Sequence, residues 1–247
     1  MNNTRHMILL ATLTLSALAC SLSAGLGDET MVRGSGDVVE ESREVADLTG
    51  VNLATIGNLS IEVGDTESLR IEAEDNLMEY FETEVRNGKL TIGTQNNVRL
   101  ETTKPVRYYL TVTGLDTIDI SSAGNIQAPD LKAGEFSITI SSAGNLNMGR
   151  LNAEALEIDI SSAGNLDISG GEVRTQNVTI SSTGNYTAQD LASEEADVRL
   201  SSAGSVTIWV KDNLKANLSS SGDLRYRGNP TVDTTTGSSG EVIQIGE

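Results

Sequence analysis

The 247-residue chain has one cysteine, one histidine, one tryptophan, two phenylalanines and three prolines. The single histidine, His6, sits in the first few residues, ahead of an apolar run, and the single cysteine, Cys20, closes that run. Once that leader is removed, no imidazole is left to serve as a base for a Ser or Cys nucleophile, and no Cys/His set remains to hold zinc. A lone cysteine also rules out an intramolecular disulfide. Aromatic residues make up 3% of the chain, so there is little material for an aromatic core. Positive charge is scarce too, with 17 Lys and Arg against 35 Asp and Glu for a formal charge of −18. Polyanion binding needs clustered cations, which excludes nucleic acid and anionic lipid headgroups as partners. The acidity reads first as solvation and self-repulsion, and Ca²⁺ collection by surface carboxylates stays open as an alternative.

Long apolar runs are also absent, with one exception. Arg5 and His6 precede Met7–Ala19 (MILLATLTLSALA), which is too short to cross about 30 Å of hydrocarbon and has the layout of a signal peptide over residues 1–19. Ser16-Ala17-Leu18-Ala19-Cys20 resembles a bacterial lipobox, with Ala17 where Leu is commoner. That resemblance implies cleavage before Cys20 and acylation of its thiol, palmitate included. Several acyl chains on one residue give durable attachment, so the expected location is extracytoplasmic, on a membrane-anchored lipoprotein. Ser21, rather than Asp, fits transport to the cell surface or outer membrane. Residues 20–35 are small and polar with no apolar period, and are expected to form the lipidated cysteine and a flexible tether ahead of a domain over 36–247.

From Ile118 onward one phrase recurs: Ile118-Asp-Ile-Ser-Ser-Ala-Gly-Asn-Ile126, then Ile138 to Leu146, Ile158 to Leu166, Val178 to Tyr186, Val198 to Val206 and Ala216 to Leu224. Its glycines fall at Gly124, Gly144, Gly164, Gly184, Gly204, Gly222 and Gly240, in steps of 20, 20, 20, 20, 18 and 18. A fixed period of about 18–20 residues is the mark of a stacked-repeat fold and is too short for helical-pair repeats. Within each unit apolar residues alternate (Ile138, Ile140; Leu146, Met148), giving two short strands with inward faces separated by a Ser-Ser-Ala-Gly corner. The glycine is expected to supply a positive φ at that corner. Asn125, Asn145, Asn165 and Asn185 should stack as a structural ladder, with Ser205 and Asp223 continuing the column. Residues 36–114 alternate in the same way with less overt repetition. Asn87-Gly88 marks a hairpin, and 74–84 is the one stretch that suggests a turn of helix. Gly237 and Pro230, in a frayed last repeat, suggest a capped C-terminal end.

Gly34-Ser-Gly36, Arg43-Glu-Val45, Ile71 to Asn76, Thr83 to Leu90 and the Ser-Ser-x-Gly-Asn ladder together resemble the putative autotransporter adhesin head GIN domain family (DUF2807) over roughly residues 34–246. The resemblance implies an all-β fold, a right-handed parallel β-helix on a bacterial envelope protein, and it carries no catalytic residues. No cofactor and no metal are expected.

Two classes of site are legible. Outward Asp119, Asp159 and Asp167 could serve a carbohydrate-active enzyme if two carboxyls lay about 5–9.5 Å apart. The more individual feature is Trp209, which points outward because Val206, Ile208 and Val210 point inward. The 18-residue step puts Arg227 over it, with Arg225, Lys211 and Lys215 nearby, a patch suited to stacking a sugar face and holding an acidic substituent. The leading expectation is therefore a lipid-anchored, adhesin-like module for a glycan or protein ligand. A structural envelope scaffold that associates end to end is the alternative, and an enzyme comes third.

Overall fold

In a computed structural model, described for residues 29–237 and 239–247, the chain is a β-solenoid of about 6 turns with 66% strand and 2% helix. The signal peptide, Cys20 and residues 21–28 lie outside the described residues. The N-terminal part runs β1 (Thr30–Arg33), β2 (Val38–Arg43), β3 (Gly50–Leu53), β4 (Asn58–Val63), β5 (Ser68–Glu74), α1 (Asp75–Met78), β6 (Phe81–Arg86), β7 (Lys89–Thr94), β8 (Val98–Glu101) and β9 (Arg107–Val112). The repeats follow as β10 (Thr117–Ile120), β11 (Asn125–Ala128), β12 (Leu131–Lys132), β13 (Glu135–Ile140), β14 (Asn145–Ile160), β15 (Asn165–Ile180), β16 (Asn185–Leu200) and β17 (Ser205–Leu218). The last turn is β18 (Asp223–Arg227), β19 (Thr231–Thr236) and β20 (Glu241–Gly246).

Parallel pairing in register at steps of 20 sets like residues above one another. Ile118, Ile138, Ile158 and Val178 form one inward column, and Ile126, Leu146, Leu166 and Tyr186 another. All are buried, so each rung covers the apolar face its neighbour would expose. Full burial of such a side chain is worth about 1.5–3 kcal/mol, a gain an isolated rung would not make. Two sheets result. The first stacks β19, β17, β16, β15, β14, β13, β10, β3, β7 and β6, and the second stacks β20, β18, β17, β16, β15, β14, β11, β4, β9, β5 and β2.

The corner glycines correct one expectation. Gly124, Gly144, Gly164, Gly184, Gly204 and Gly222 do not have positive φ. They are glycine because there is no room for a side chain. A Cβ on Gly144 would meet Ile120 Cγ2 of the preceding rung and would lie 2.7 Å from the Gly124 carbonyl oxygen. The same oxygen accepts the Asn145 N–H at 3.2 Å, so a side chain here would push on a bond between rungs.

Residues 36–114 are not simply earlier rungs. β3 and β4 stack beneath β10 and β11, β7 and β9 stack beyond them, and antiparallel β6, β5 and β2 close that end. Asn87 and Gly88, with φ of 50° and 78°, make the β6–β7 turn. Leu77 and Met78 of α1 and Phe81 are buried as a lid over the core. Within the residues 20–35 expected as a tether, Thr30–Arg33 pairs in parallel with Val98–Glu101 and folds as β1.

Glu74 locks this entry. Its carboxylate, 1% exposed, accepts from the Gly36 N–H at 2.7 Å, the Thr103 N–H at 2.8 Å and the Thr103 hydroxyl at 2.5 Å, with the Lys104 N–H at 3.3 Å. Burial works to raise its pKa, but the bonds from Thr103, Gly36 and Lys104 prevail and hold it below the ordinary carboxylate value.

The opposite end also differs from expectation. β19 pairs only with β17 and β20 only with β18, so among the described residues their outer edges are unpaired. The inward columns that bury Leu214 and Leu218 reach this rung as Val232, 39% exposed, and Thr236, also exposed, whereas the Leu224 column ends in Val242, half-buried against the core. Gly237 and Pro230 bound β19 without covering it.

Candidate functional site

The outer face of the second sheet carries two polar columns. In the first, Asn125 donates its side-chain amide to Asn58 Oδ1 at 2.9 Å, Asn145 to Asn125 at 2.8 Å, Asn165 to Asn145 at 2.7 Å and Asn185 to Asn165 at 2.8 Å. Each donor uses one of its two amide hydrogens, so a second remains for solvent or ligand at every rung. Ser205 and Asp223 occupy the same register above Asn185. Beside it run Ser60, Gln127, Asn147, Asp167, Thr187, Thr207 and Arg225. Amides and hydroxyls dominate this face, although the chain as a whole carries −18.

An aromatic–guanidinium stack stands at each end of the face. Toward the C-terminal end the Arg227 guanidinium lies 5.1 Å from the Trp209 ring centroid, with Val206, Ile208 and Val210 buried beneath. The step is made by a register shift. Ala188 and Ala192 of β16 face consecutive residues Ile208 and Trp209 of β17, so Gln189, Asp190 and Leu191 have no counterpart in the shorter rung. Arg227 reaches down across that step to Asp190 Oδ1 at 3.0 Å and the Gln189 carbonyl at 3.2 Å. At the capped end the Arg70 guanidinium lies 4.0 Å from the Tyr109 ring, and the Tyr109 hydroxyl donates to Glu72 at 3.3 Å. Sequence reasoning missed this second pair because Arg70 and Tyr109 become neighbours only through the antiparallel β5–β9 pairing.

Of the four expected cations, Lys215 lies on the first sheet opposite Asp197 and Asp233, away from Trp209, and the other three are already engaged. Lys211 binds Glu172 at 2.5 Å, Arg225 binds Asp223 at 3.4 Å and Arg227 binds Asp190. The bond and charge of Lys211 lower the Glu172 pKa, and the bond from Glu172 raises that of Lys211. Trp209, Arg225 and Arg227 share one face, whereas Lys211 leans two rungs back toward Glu172. With its cations paired, the patch suits a neutral ring better than an acidic substituent.

A polar chain crosses the core beneath. The Tyr186 hydroxyl donates to Gln176 Oε1 at 3.2 Å, Gln176 Nε2 donates to Ser193 Oγ at 2.8 Å, and Ser193 donates to the Trp209 carbonyl at 2.9 Å. Gln176 and Ser193 are fully buried, so this chain fixes the backbone that presents Trp209. Its signal in the sequence is a Gln in the inward column otherwise held by Phe136, Leu156 and Ala196.

The aspartates do not assemble. Asp119 and Asp159 stand two rungs apart, about 9.6 Å, and Asp119 is paired with Lys89 at 2.6 Å. Asp167 lies on the other sheet. A cleft of about 680 Å³ on the first sheet is lined by Asp116, Glu135, Phe136, Ser137 and Glu157. Among the described residues no group of three or more His, Cys, Asp or Glu is placed to hold a metal, and no helix is long and apolar enough to cross a membrane.

Stacked rungs, a polar ladder and bracketing aromatic–guanidinium pairs define a β-solenoid with an extended outer face. The chain belongs to the family described as putative auto-transporter adhesin, head GIN domain, whose family model matches residues 47–230. Among solved structures it is similar to a putative adhesin of Bacteroides fragilis, with TM-score 0.82, 17% identity, and 87% of this chain and 100% of that chain covered. A putative adhesin of Parabacteroides merdae gives 0.69 at 20% identity, covering 87% and 99%. A protein of Parabacteroides distasonis described as a putative lipid binding protein gives 0.72 at 18% identity, covering 87% and 100%. At these identities the likeness is one of fold. No curated protein matches the chain.

Proposed function

We propose that this chain is a non-catalytic, adhesin-like module of the bacterial envelope, lipid-anchored through Cys20, that presents the outer face of its second sheet to an extended surface ligand, a glycan first and a protein segment second. The observation that carries the reading is the bracketed face. From Tyr109 on β9 to Trp209 on β17 is six strand spacings, about 29 Å, with a free amide hydrogen at each Asn rung between. Rings flanking a line of neutral donors suit the apolar faces and hydroxyls of a sugar chain. The family's adhesin description supports the same reading.

The test is binding of residues 20–247 to glycan arrays and isolated cell wall, beside Trp209→Ala and Tyr109→Ala, with mass spectrometry of the supernatant. Saturable binding that weakens in both folded variants, with no released product, is expected. Product release would overturn the non-catalytic part, and binding indifferent to both variants would overturn the face. Palmitate labelling of the full chain, absent in Cys20→Ser, tests the anchor.

A further inference from the structure

The asparagine ladder has a direction. Asn185 donates to Asn165, Asn165 to Asn145, Asn145 to Asn125 and Asn125 to Asn58, so every side-chain bond runs the same way along the stack. Aligned hydrogen bonds polarise one another, which makes the last amide of the chain a stronger donor than an isolated one. That amide is Asn58. Its oxygen is taken by Asn125, and its nitrogen has no acceptor among the described residues. The next residue in the column, Arg107, can only donate and is turned to Glu72. The ladder therefore ends in two unspent N–H bonds.

A cleft of about 230 Å³ opens at this end, beside the Tyr109 rung. Asn58, Asn125 and Thr102 give it polar groups, while half-buried Ile56 and exposed Pro105 and Ala123 give it apolar surface. Among the described residues no charged side chain lines it, in contrast to Asp116, Glu135 and Glu157 in the first-sheet cleft. Its walls are fixed in advance. The buried Glu74 carboxylate holds the 102–106 loop through Thr103 and Lys104, and the Val106 carbonyl accepts the Asn58 N–H at 3.0 Å. The Tyr108 hydroxyl donates to the Ile56 carbonyl at 3.2 Å, and a Cβ on Gly57 would lie 2.8 Å from the Tyr108 ring. A ligand entering here has no loop to order, which favours binding even by a small group.

We propose that this cleft binds a single N-acetylated sugar ring, with the acetamido carbonyl accepting from Asn58 and the methyl against Ile56, Pro105 and Ala123. The space suits one ring, being below the about 300–1,000 Å³ of clefts that take drug-sized ligands. A carbonyl oxygen meets the donors without bringing an anion to a chain of −18. A plain hydroxyl would leave the apolar surface uncovered. The inference deepens the glycan reading above and rests on it for one point: a chain with its acetamido ring seated here would follow the ladder toward Trp209 in one direction only.

The experiment titrates residues 20–247 with the methyl glycosides of N-acetylglucosamine, glucose and glucuronic acid, following side-chain amide and methyl signals by NMR. The acetamido sugar is expected to move the Asn58 and Asn125 amides and the Ala123 methyl with millimolar affinity, and the other two are expected to leave them in place. Asn58→Asp keeps an oxygen for Asn125 and removes the donor, so binding should weaken about tenfold, the worth of one good hydrogen bond. Ala123→Phe should fill the cleft and abolish binding. Both positions are exposed, and circular dichroism checks that the variants fold. Shifts as large with glucose or the glucuronide, no shift at Asn58, or undiminished binding in either folded variant would overturn the proposal. Trp209→Ala, at the far end of the face, should leave these shifts unchanged. Loss of chain binding with the acetamido shifts intact would sink the extended face alone, and absent shifts with chain binding intact would sink the cleft alone.

Discussion

Replacing Gly164 by alanine tests why the corners are glycine. If the residue were needed for a left-handed backbone, alanine would cost about 1 kcal/mol and asparagine less, since asparagine tolerates that region. The structure makes a different demand. A Cβ at Gly164 would run into Ile140 Cγ2 and lie 2.8 Å from the Gly144 carbonyl and 3.0 Å from the Ser142 carbonyl. The Gly144 oxygen accepts the Asn165 N–H, so relieving the clash separates the rungs at the bond that joins them. Overpacking of a tight core costs about 1–3 kcal/mol, and the upper end is expected because two of the three obstacles are backbone. At about 2–4 °C per kcal/mol for a domain of this size, the melting temperature should fall by about 6–12 °C. Gly164→Asn should be at least as damaging. Gly134 serves as the control: it has nothing within 4 Å of a built Cβ and no positive φ, so Gly134→Ala should be neutral or stabilise by about 0.4–1 kcal/mol. Urea and thermal unfolding of the three variants decide the matter. A Gly164→Ala loss under about 0.5 kcal/mol, or an asparagine variant milder than the alanine, would refute the steric account.

Glu74 supplies a pH dependence. Its folded pKa lies below the unfolded one, so its contribution is complete above the ordinary value of 4.5 and is lost as pH falls through the folded value. Glu74→Gln should cost about 2–3 kcal/mol at neutral pH and flatten the acid limb of stability below the ordinary value of 4.5, read by urea midpoints, with faster amide exchange over residues 30–37. Gln176→Leu leaves the buried Tyr186 hydroxyl without an acceptor and should cost about 1–3 kcal/mol, much of it recovered when Tyr186→Phe and Ser193→Ala are added, as a multiple-mutant cycle would show. Asn145→Ala removes a bond to each neighbouring rung at an exposed site, so a loss of about 1 kcal/mol in chemical denaturation is expected, and a loss above 3 would mean the ladder holds the rungs more tightly than its hydrogen bonds explain.

The rungs were legible because stacking turns one local pattern into a visible period: Ile-x-Ile, a glycine corner, Asn, then Leu-x-Met, repeated every 20 residues. The family resemblance rested on this ladder together with Gly34-Ser-Gly36, Arg43-Glu-Val45, Ile71 to Asn76 and Thr83 to Leu90. Three things were not legible, each for a physical reason. A period-2 strand looks the same whether its neighbour runs parallel or antiparallel, so although Asn87-Gly88 announced the β6–β7 hairpin, the β5–β9 pairing that helps cap the solenoid, and the Arg70–Tyr109 contact it creates, were invisible. A glycine required by lack of space reads like a glycine required by its backbone angle. Side-chain partners across rungs depend on a register shift that the 18-residue step announces but does not locate, so Arg227 could be set over Trp209 while its bond to Asp190, and that of Lys211 to Glu172, could not be foreseen.

That register shift also bears on how such a face would recognise anything. Rungs that repeat Asn, Gly and the Ser-Ser corner offer a bound chain the same amide donors every 4.8 Å or so, and a ligand displaced by one rung would meet the same Asn column beside a change of one polar side chain for another. A periodic face can therefore contribute affinity without choosing a register. Selection has to come from places where the period breaks, and on this sheet those are Tyr109, where antiparallel β5 replaces a rung, and Trp209, where Gln189–Leu191 lose their counterpart. If the ligand is an extended chain, Trp209→Ala should weaken binding modestly and at the same time multiply the bound states. A chain labelled at one end with a spin label, which shows a single set of distances to β17 in the wild type, should then show a ladder of distances spaced by one rung. A single shifted position would mean that the ladder itself holds the register.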